Sequence, residues 1–121
     1  MIKHILIVDD EHTNMMLAKK MLEHLGFKAT CAWDGYEAIK LVEEHQFDII
    51  LMDINMPSLD GLKTAEKIIE KYNIPIIAVT ADSSTIEKGL HKKVGMVGHI
   101  LKPYKLEHLK ERVDYYLFKE A

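Results

Sequence analysis

A single cysteine, Cys31, stands among the 121 residues, so no disulfide can form within the chain. It lies in an apolar stretch and is expected in the core, which together with the lack of a cysteine framework suggests a cytosolic protein. Charge of one sign is lacking too. The 16 Lys and Arg and 19 Asp and Glu are scattered and sum to −3, so neither a nucleic-acid surface nor a membrane surface is expected. No apolar run approaches the roughly 20 residues a membrane span needs. Met1-Ile2-Lys3-His4 leads straight into a strand pattern and leaves no room for a secretory leader. There is no fixed-period repeat and no low-complexity tract. His4, His12, His24, His45, His91 and His108 are expected on helix surfaces or strand starts, without the spacing of zinc ligands.

What is present reads as one domain over residues 1–121, long enough to bury about two thirds of its unfolded surface. His4 to Val8 is a β-branched run, and Met15, Ala18, Met21, Leu22 and Leu25 then recur at helical spacing up to Gly26, predicting a helix over 13–25. Met15, Met16 and Met21 are expected to pack in the core and at its rim. Phe27 to Ala32 predicts a second strand. Asp34 and Glu37 have capping-box spacing ahead of a second helix, with Ala38, Leu41 and Val42 on its buried stripe. Asp48 to Asp53 is a third strand, ended by the loop that Pro57 and Asp60-Gly61 impose, and Leu62, Ala65, Ile68 and Ile69 mark a third helix. Pro75 opens the strand Ile76 to Thr80. Ser84 and Glu87 again have capping-box spacing, before a fourth helix whose stripe of Ile86, Leu90 and Val94 is narrow and interrupted by Gly89. This helix is expected to be the least firmly held. Val97 to Leu101 is a fifth strand, and Leu106, Leu109, Val113, Tyr116 and Leu117 mark the closing helix. Five strands alternating with five helices through short connections imply right-handed βαβ units, a parallel sheet and a three-layer α/β sandwich.

The central stretch is Ile49-Ile50-Leu51-Met52-Asp53, a run apolar enough to be buried on both faces that ends on one carboxylate. Ligands of parallel sheets bind beyond the carboxyl ends of the strands. Strand one ends there on Asp9-Asp10, strand four on Thr80, and strand five on Lys102. Two carboxylates about 5 Å apart repel by roughly 3 kcal/mol at an effective dielectric near 20. One lysine cannot neutralise three of them. An all-oxygen donor set without cysteine points to Mg²⁺, or Mn²⁺ by the same chemistry. Asp53 is then the expected nucleophile toward phosphorus, Asp9 and Asp10 hold the metal with the main-chain carbonyl of Asn55, and Thr80 and Lys102 bind the phosphoryl oxygens.

Asp9-Asp10-Glu11, Met52-Asp53 with Met56-Pro57 and Asp60-Gly61, Thr80-Ala81 and Lys102-Pro103 together resemble the receiver domains of two-component response regulators over nearly the whole chain. The resemblance implies a flavodoxin-like sheet of order 2-1-3-4-5 and Mg²⁺-dependent transfer of a phosphoryl group to Asp53. The donor it implies is a histidine kinase or a histidine phosphotransfer protein, with slow self-catalysed hydrolysis expected afterwards. It also implies a cis Lys102-Pro103 bond, docking of the donor near Asn14, Met15 and Ala18, and an output partner on the face of helix four, strand five and helix five. One position departs from the pattern: His99 stands where such domains usually carry Tyr or Phe as a switch residue. Its plainer reading is a partly exposed histidine with no special role; its sharper one is a weaker or pH-dependent switch. The Asp-Asp-Glu-x-x-Asn pattern ending on Asn14 resembles receivers of hybrid histidine kinases, so a free-standing regulator and a receiver piece both stay open.

Two other classes share parts of this pattern. An FMN carrier would present hydroxyls and free amides after strand one, where Asp9-Asp10-Glu11 would repel a phosphate. An aspartyl-phosphate phosphohydrolase would need a proton donor two residues past the nucleophile, and Asn55 cannot serve as one.

Overall fold

The computed structural model describes residues 2–56 and 60–118. Pro57 and the carboxy-terminal Lys119-Glu120-Ala121 lie outside the described residues. The order is β1 (His4–Val8), α1 (His12–His24), β2 (Lys28–Ala32), α2 (Gly35–Glu44), β3 (Ile49–Asp53) and α3 (Gly61–Lys71). It continues with β4 (Ile76–Thr80), α4 (Ser83–Glu87), α5 (Leu90–Lys93), β5 (Gly98–Leu101) and α6 (Leu106–Phe118). The sheet is parallel throughout, in the order β2-β1-β3-β4-β5. This is the three-layer, flavodoxin-like sandwich expected from the sequence.

Every residue of β3 and β4 is buried, which is why these strands are continuous apolar runs rather than alternating ones. Odd and even positions feed opposite layers. Leu6, Val8, Ile50, Met52 and Ala78 pack with Ala38, Val42, Ala65 and Ile68 of α2 and α3 on one face. Ile5, Ile7, Ile49, Leu51 and Ile77 pack with Met15, Ala18 and Leu22 of α1 and Leu109 and Val113 of α6 on the other. No helix among the described residues is long and apolar enough to cross a membrane.

Local departures from the expected pattern have physical causes. Cys31 is only half-buried, because β2 is an edge strand with no further strand paired to its outer side among the described residues. The second helix starts as expected, with the Asp34 carboxylate accepting from the Glu37 N–H, but the Glu37 carboxylate reaches back to the N–H of Trp33, one residue before the cap. The fourth helix is two short pieces: Gly89 adopts a left-handed φ of 68° and separates α4 from α5. Its cap is Asp82 rather than Ser84. The Asp82 carboxylate accepts from both the N–H and the hydroxyl of Ser84, so the Ser84–Glu87 spacing does not act as a capping box.

Candidate functional site: an acidic rim at the strand ends

Parallel strands with this register bring the ends of β1, β3, β4 and β5 to one edge, and five polar side chains follow. Asp9 and Asp53 are 5% and 6% exposed and Thr80 is fully buried, whereas Asp10 points to solvent. Lys102 follows β5 and sends its ammonium between the two buried carboxylates, 3.0 Å from Asp9 Oδ2 and 3.2 Å from Asp53 Oδ2. The other oxygen of Asp53 accepts the Asn55 N–H at 2.9 Å, and Asp9 Oδ1 accepts the Glu11 N–H at 2.9 Å. Asp9, Asp10 and Asp53 each offer an oxygen, and these lie within 4.8 Å of one another. The Lys102–Pro103 bond is cis.

Burial pushes the Asp53 carboxyl up. The Asn55 N–H and Lys102 pull it back and Asp9 adds to the rise, leaving it above the ordinary aspartate range. Burial pulls Lys102 down, but Asp53 and Asp9 outweigh it, so the ammonium sits above its usual value and stays charged at neutral pH. One ammonium therefore serves a cluster with more negative charge than it can cancel. The oxygen-only donor set and its close spacing fit a hard divalent cation.

The Thr80 hydroxyl oxygen accepts the Asp82 N–H at 2.9 Å and the Asn55 Nδ2 amide at 2.5 Å. No hydrogen bond among the described residues joins it to Asp53. Asn55 thus has a side-chain role that sequence reasoning missed, tying the loop after β3 to the end of β4. Gly61 was missed as well. A Cβ there would run into the main-chain oxygen of Asp53 and the Cα of Ile54, so α3, capped by Asp60, can seat against the end of β3 only through a glycine. The Asp60-Gly61 pair carried that signal, but it was read as a loop and as part of the family pattern, not as a close packing contact.

The expected switch residue, His99, is half-buried on β5, its ring edge-on to that of His91 with centroids 5.4 Å apart. His91 is not on a helix surface: it is 1% exposed. The expected docking set also divides. Met15 and Ala18 belong to the buried stripe of α1 at 0% and 2% exposure, and so offer no surface to a partner. Asn14, with Leu17 and Met21, lines a cleft of about 340 Å³ beside the rim, closed by Ala81, Lys102, Pro103 and Tyr104.

Residues 5–114 match the response regulator receiver domain family. The chain belongs to that family. Among solved receiver structures it is similar to the chemotaxis protein CheY4 of Vibrio cholerae, at 28% identity and a TM-score of 0.91, covering 97% of this chain and 100% of that one. It is similar as well to the receiver domain of the sensor histidine kinase PA1611 from Pseudomonas aeruginosa. That structure has a magnesium ion coordinated in its active site cleft; identity is 30%, the TM-score 0.90, and coverage 98% and 100%. A third is the response regulator TrrA of Thermotoga maritima in complex with Mg²⁺-BeF, at 32% identity and a TM-score of 0.88, covering 96% of this chain and all of that one. As a receiver domain, the chain is a component of two-component signalling, in which such domains act as phosphoacceptors.

Proposed function

We propose that this receiver domain takes a phosphoryl group from a partner phosphohistidine onto Asp53, as a cytoplasmic signalling switch. The observation that carries this is the pairing of a buried, charge-crowded Asp53 with a lysine ammonium at 3.2 Å and two further carboxylates within 4.8 Å. A carboxylate oxygen of Asp53 forms the new O–P bond as the N–P bond to the donor imidazole breaks, and the departing imidazole takes its proton from solvent. Asp9, Asp10, Asp53 and the main-chain carbonyl of Asn55 would hold Mg²⁺, with Mn²⁺ able to take the same oxygens. The bound cation supplies positive charge to the transferring phosphoryl oxygens. Lys102, already between Asp9 and Asp53, aligns the carboxylate and pairs with a phosphoryl oxygen.

Thr80 hands the event on. Its hydroxyl leaves Asn55 and the Asp82 N–H to meet the phosphoryl group, which releases the cap residue of α4 and biases the face formed by α4, α5, β5 and α6. His99 sits on that face, and output partners would read it there. The donor, a histidine kinase or histidine phosphotransfer protein, would approach past Asn14 and Leu17. Acetyl phosphate with Mg²⁺ tests the acceptor: intact mass should rise by one phosphoryl group in the wild type and not in Asp53→Asn. Equal labelling of both would refute the assignment.

A further inference from the structure

The rim leaves one buried polar side chain unexplained. His91, on α5, is 1% exposed, and neither of its ring nitrogens has a hydrogen-bond partner. A neutral imidazole carries one N–H and one lone pair, so both are buried here without compensation. The ring packs edge-on to His99 of β5, at 5.4 Å between centroids and 79° between planes. The charge of Lys92 of α5 acts on both rings, and those of Arg112 and His108 of α6 act on His99. All of these neighbours are cations or further histidines. Arg112 also has its Nε buried without a partner. A proton on His91 would therefore be a buried positive charge, and one on His99 a half-buried one, beside other positive charges.

We propose that His91 and His99 form a proton-operated latch: the neutral pair closes α5 against β5, and protonation of His91 expels its ring and opens Ser83–Lys93. The surrounding structure makes this opening local. Gly89, at a φ of 68°, is a hinge directly before α5, and α4 has no buried residue. His91 is the only buried residue of α5, and its carbonyl oxygen accepts the Met96 N–H that leads the chain toward β5. Releasing His91 removes the one fully buried side chain of the segment and leaves Ile86, only partly buried against the core, to hold it. The consequence is that acidification loosens the output face without any change at Asp53.

The direction follows from linkage. Burial, then the positive neighbours, hold both imidazoles below their ordinary value. A free imidazole titrates near 6.5, so the closed form is favoured in full above that pH and loses its advantage as pH falls. Each pH unit below about 6.5 should multiply opening by up to about tenfold per proton taken up. The latch needs no phosphotransfer, so the unmodified chain tests it and failure would leave the phosphoacceptor reading intact.

Amide hydrogen exchange, expressed as protection factors from pH 7.5 to 5, reads the opening. Protection of Lys93, Gly95 and Met96, whose N–H groups bond to Gly89, Lys92 and His91, should fall by up to about tenfold per unit below 6.5. Tyr72, bonded to Ile68 at the end of α3, should not follow. His91→Leu should abolish the pH dependence, with His91→Met standing in should leucine prevent folding. Imidazole NMR of the wild type gives a reading that needs no variant: the His91 ring should titrate below 6.5. Flat protection in the wild type, a slope retained in the His91 variants, or a His91 ring titrating at its ordinary value would each overturn the latch.

Discussion

The end of β3 and the segment Ser83–Lys93, which follows the neighbouring strand β4, are built to opposite specifications. At the first, Asp9, Asp53 and Thr80 are all more than nine-tenths buried, and every one has a named partner: an ammonium, a main-chain N–H or an amide. At the second, two helical pieces of five and four residues are joined through a left-handed glycine, and their one buried side chain is a histidine ring with no hydrogen-bond partner. Chemistry needs atoms held in place, and a response needs an element that costs little to move. Thr80 and Asp82 are the join between the two, through one hydrogen bond of 2.9 Å.

Breaking the firmly held region should cost most. Lys102→Met leaves two buried carboxylates without their cation, and without added divalent metal the urea unfolding free energy at pH 7 should drop by about 3 kcal/mol. Mg²⁺ should return part of that loss, because it binds the folded rim and not the unfolded chain. Gly61→Ala comes next. Its methyl group must displace the backbone at Asp53, so unfolding free energy should fall by about 1–3 kcal/mol, with slower labelling by acetyl phosphate as the second readout. The loose region gives the smallest effect. Asp82→Ala removes the cap of α4 and should raise local opening of α4 by about fivefold in hydrogen exchange, at an unchanged urea midpoint. A shift of the global midpoint in Asp82→Ala as large as that of Gly61→Ala would erase the distinction between the two regions.

The sequence disclosed the firm region better than the loose one. Asp9, Asp10, Asp53, Thr80 and Lys102 were legible because strand-end position in a parallel sheet is set by apolar runs, and apolar runs are plain in one dimension. The weakness of the fourth helix was legible from Gly89 and a narrow stripe. The break into two helices was not, because a glycine inside a helical pattern does not declare the sign of its φ. His91 looked like a surface residue since its neighbours Lys92 and Lys93 are charged; its packing against His99 of β5, eight residues later, is a tertiary contact. Met15 and Ala18 were legible as members of the apolar stripe of the first helix; the family resemblance set them on a donor surface, which their burial excludes. Gly61 and the amide of Asn55 gain their roles from contacts with the end of β3 and with β4, which composition cannot reveal.

The central claim is that a change at Asp53 is passed through Thr80 to the loosely held segment. Amide NMR spectra of the chain with Mg²⁺, recorded with and without acetyl phosphate, test it most directly. Phosphorylation should shift Thr80, Asp82, the amides from Ser83 to Val94, and His99, while α2, which packs beside β1 and β2, stays in place. Shifts confined to the surroundings of Asp9, Asp10 and Asp53, with Ser83–Lys93 unmoved, would contradict it.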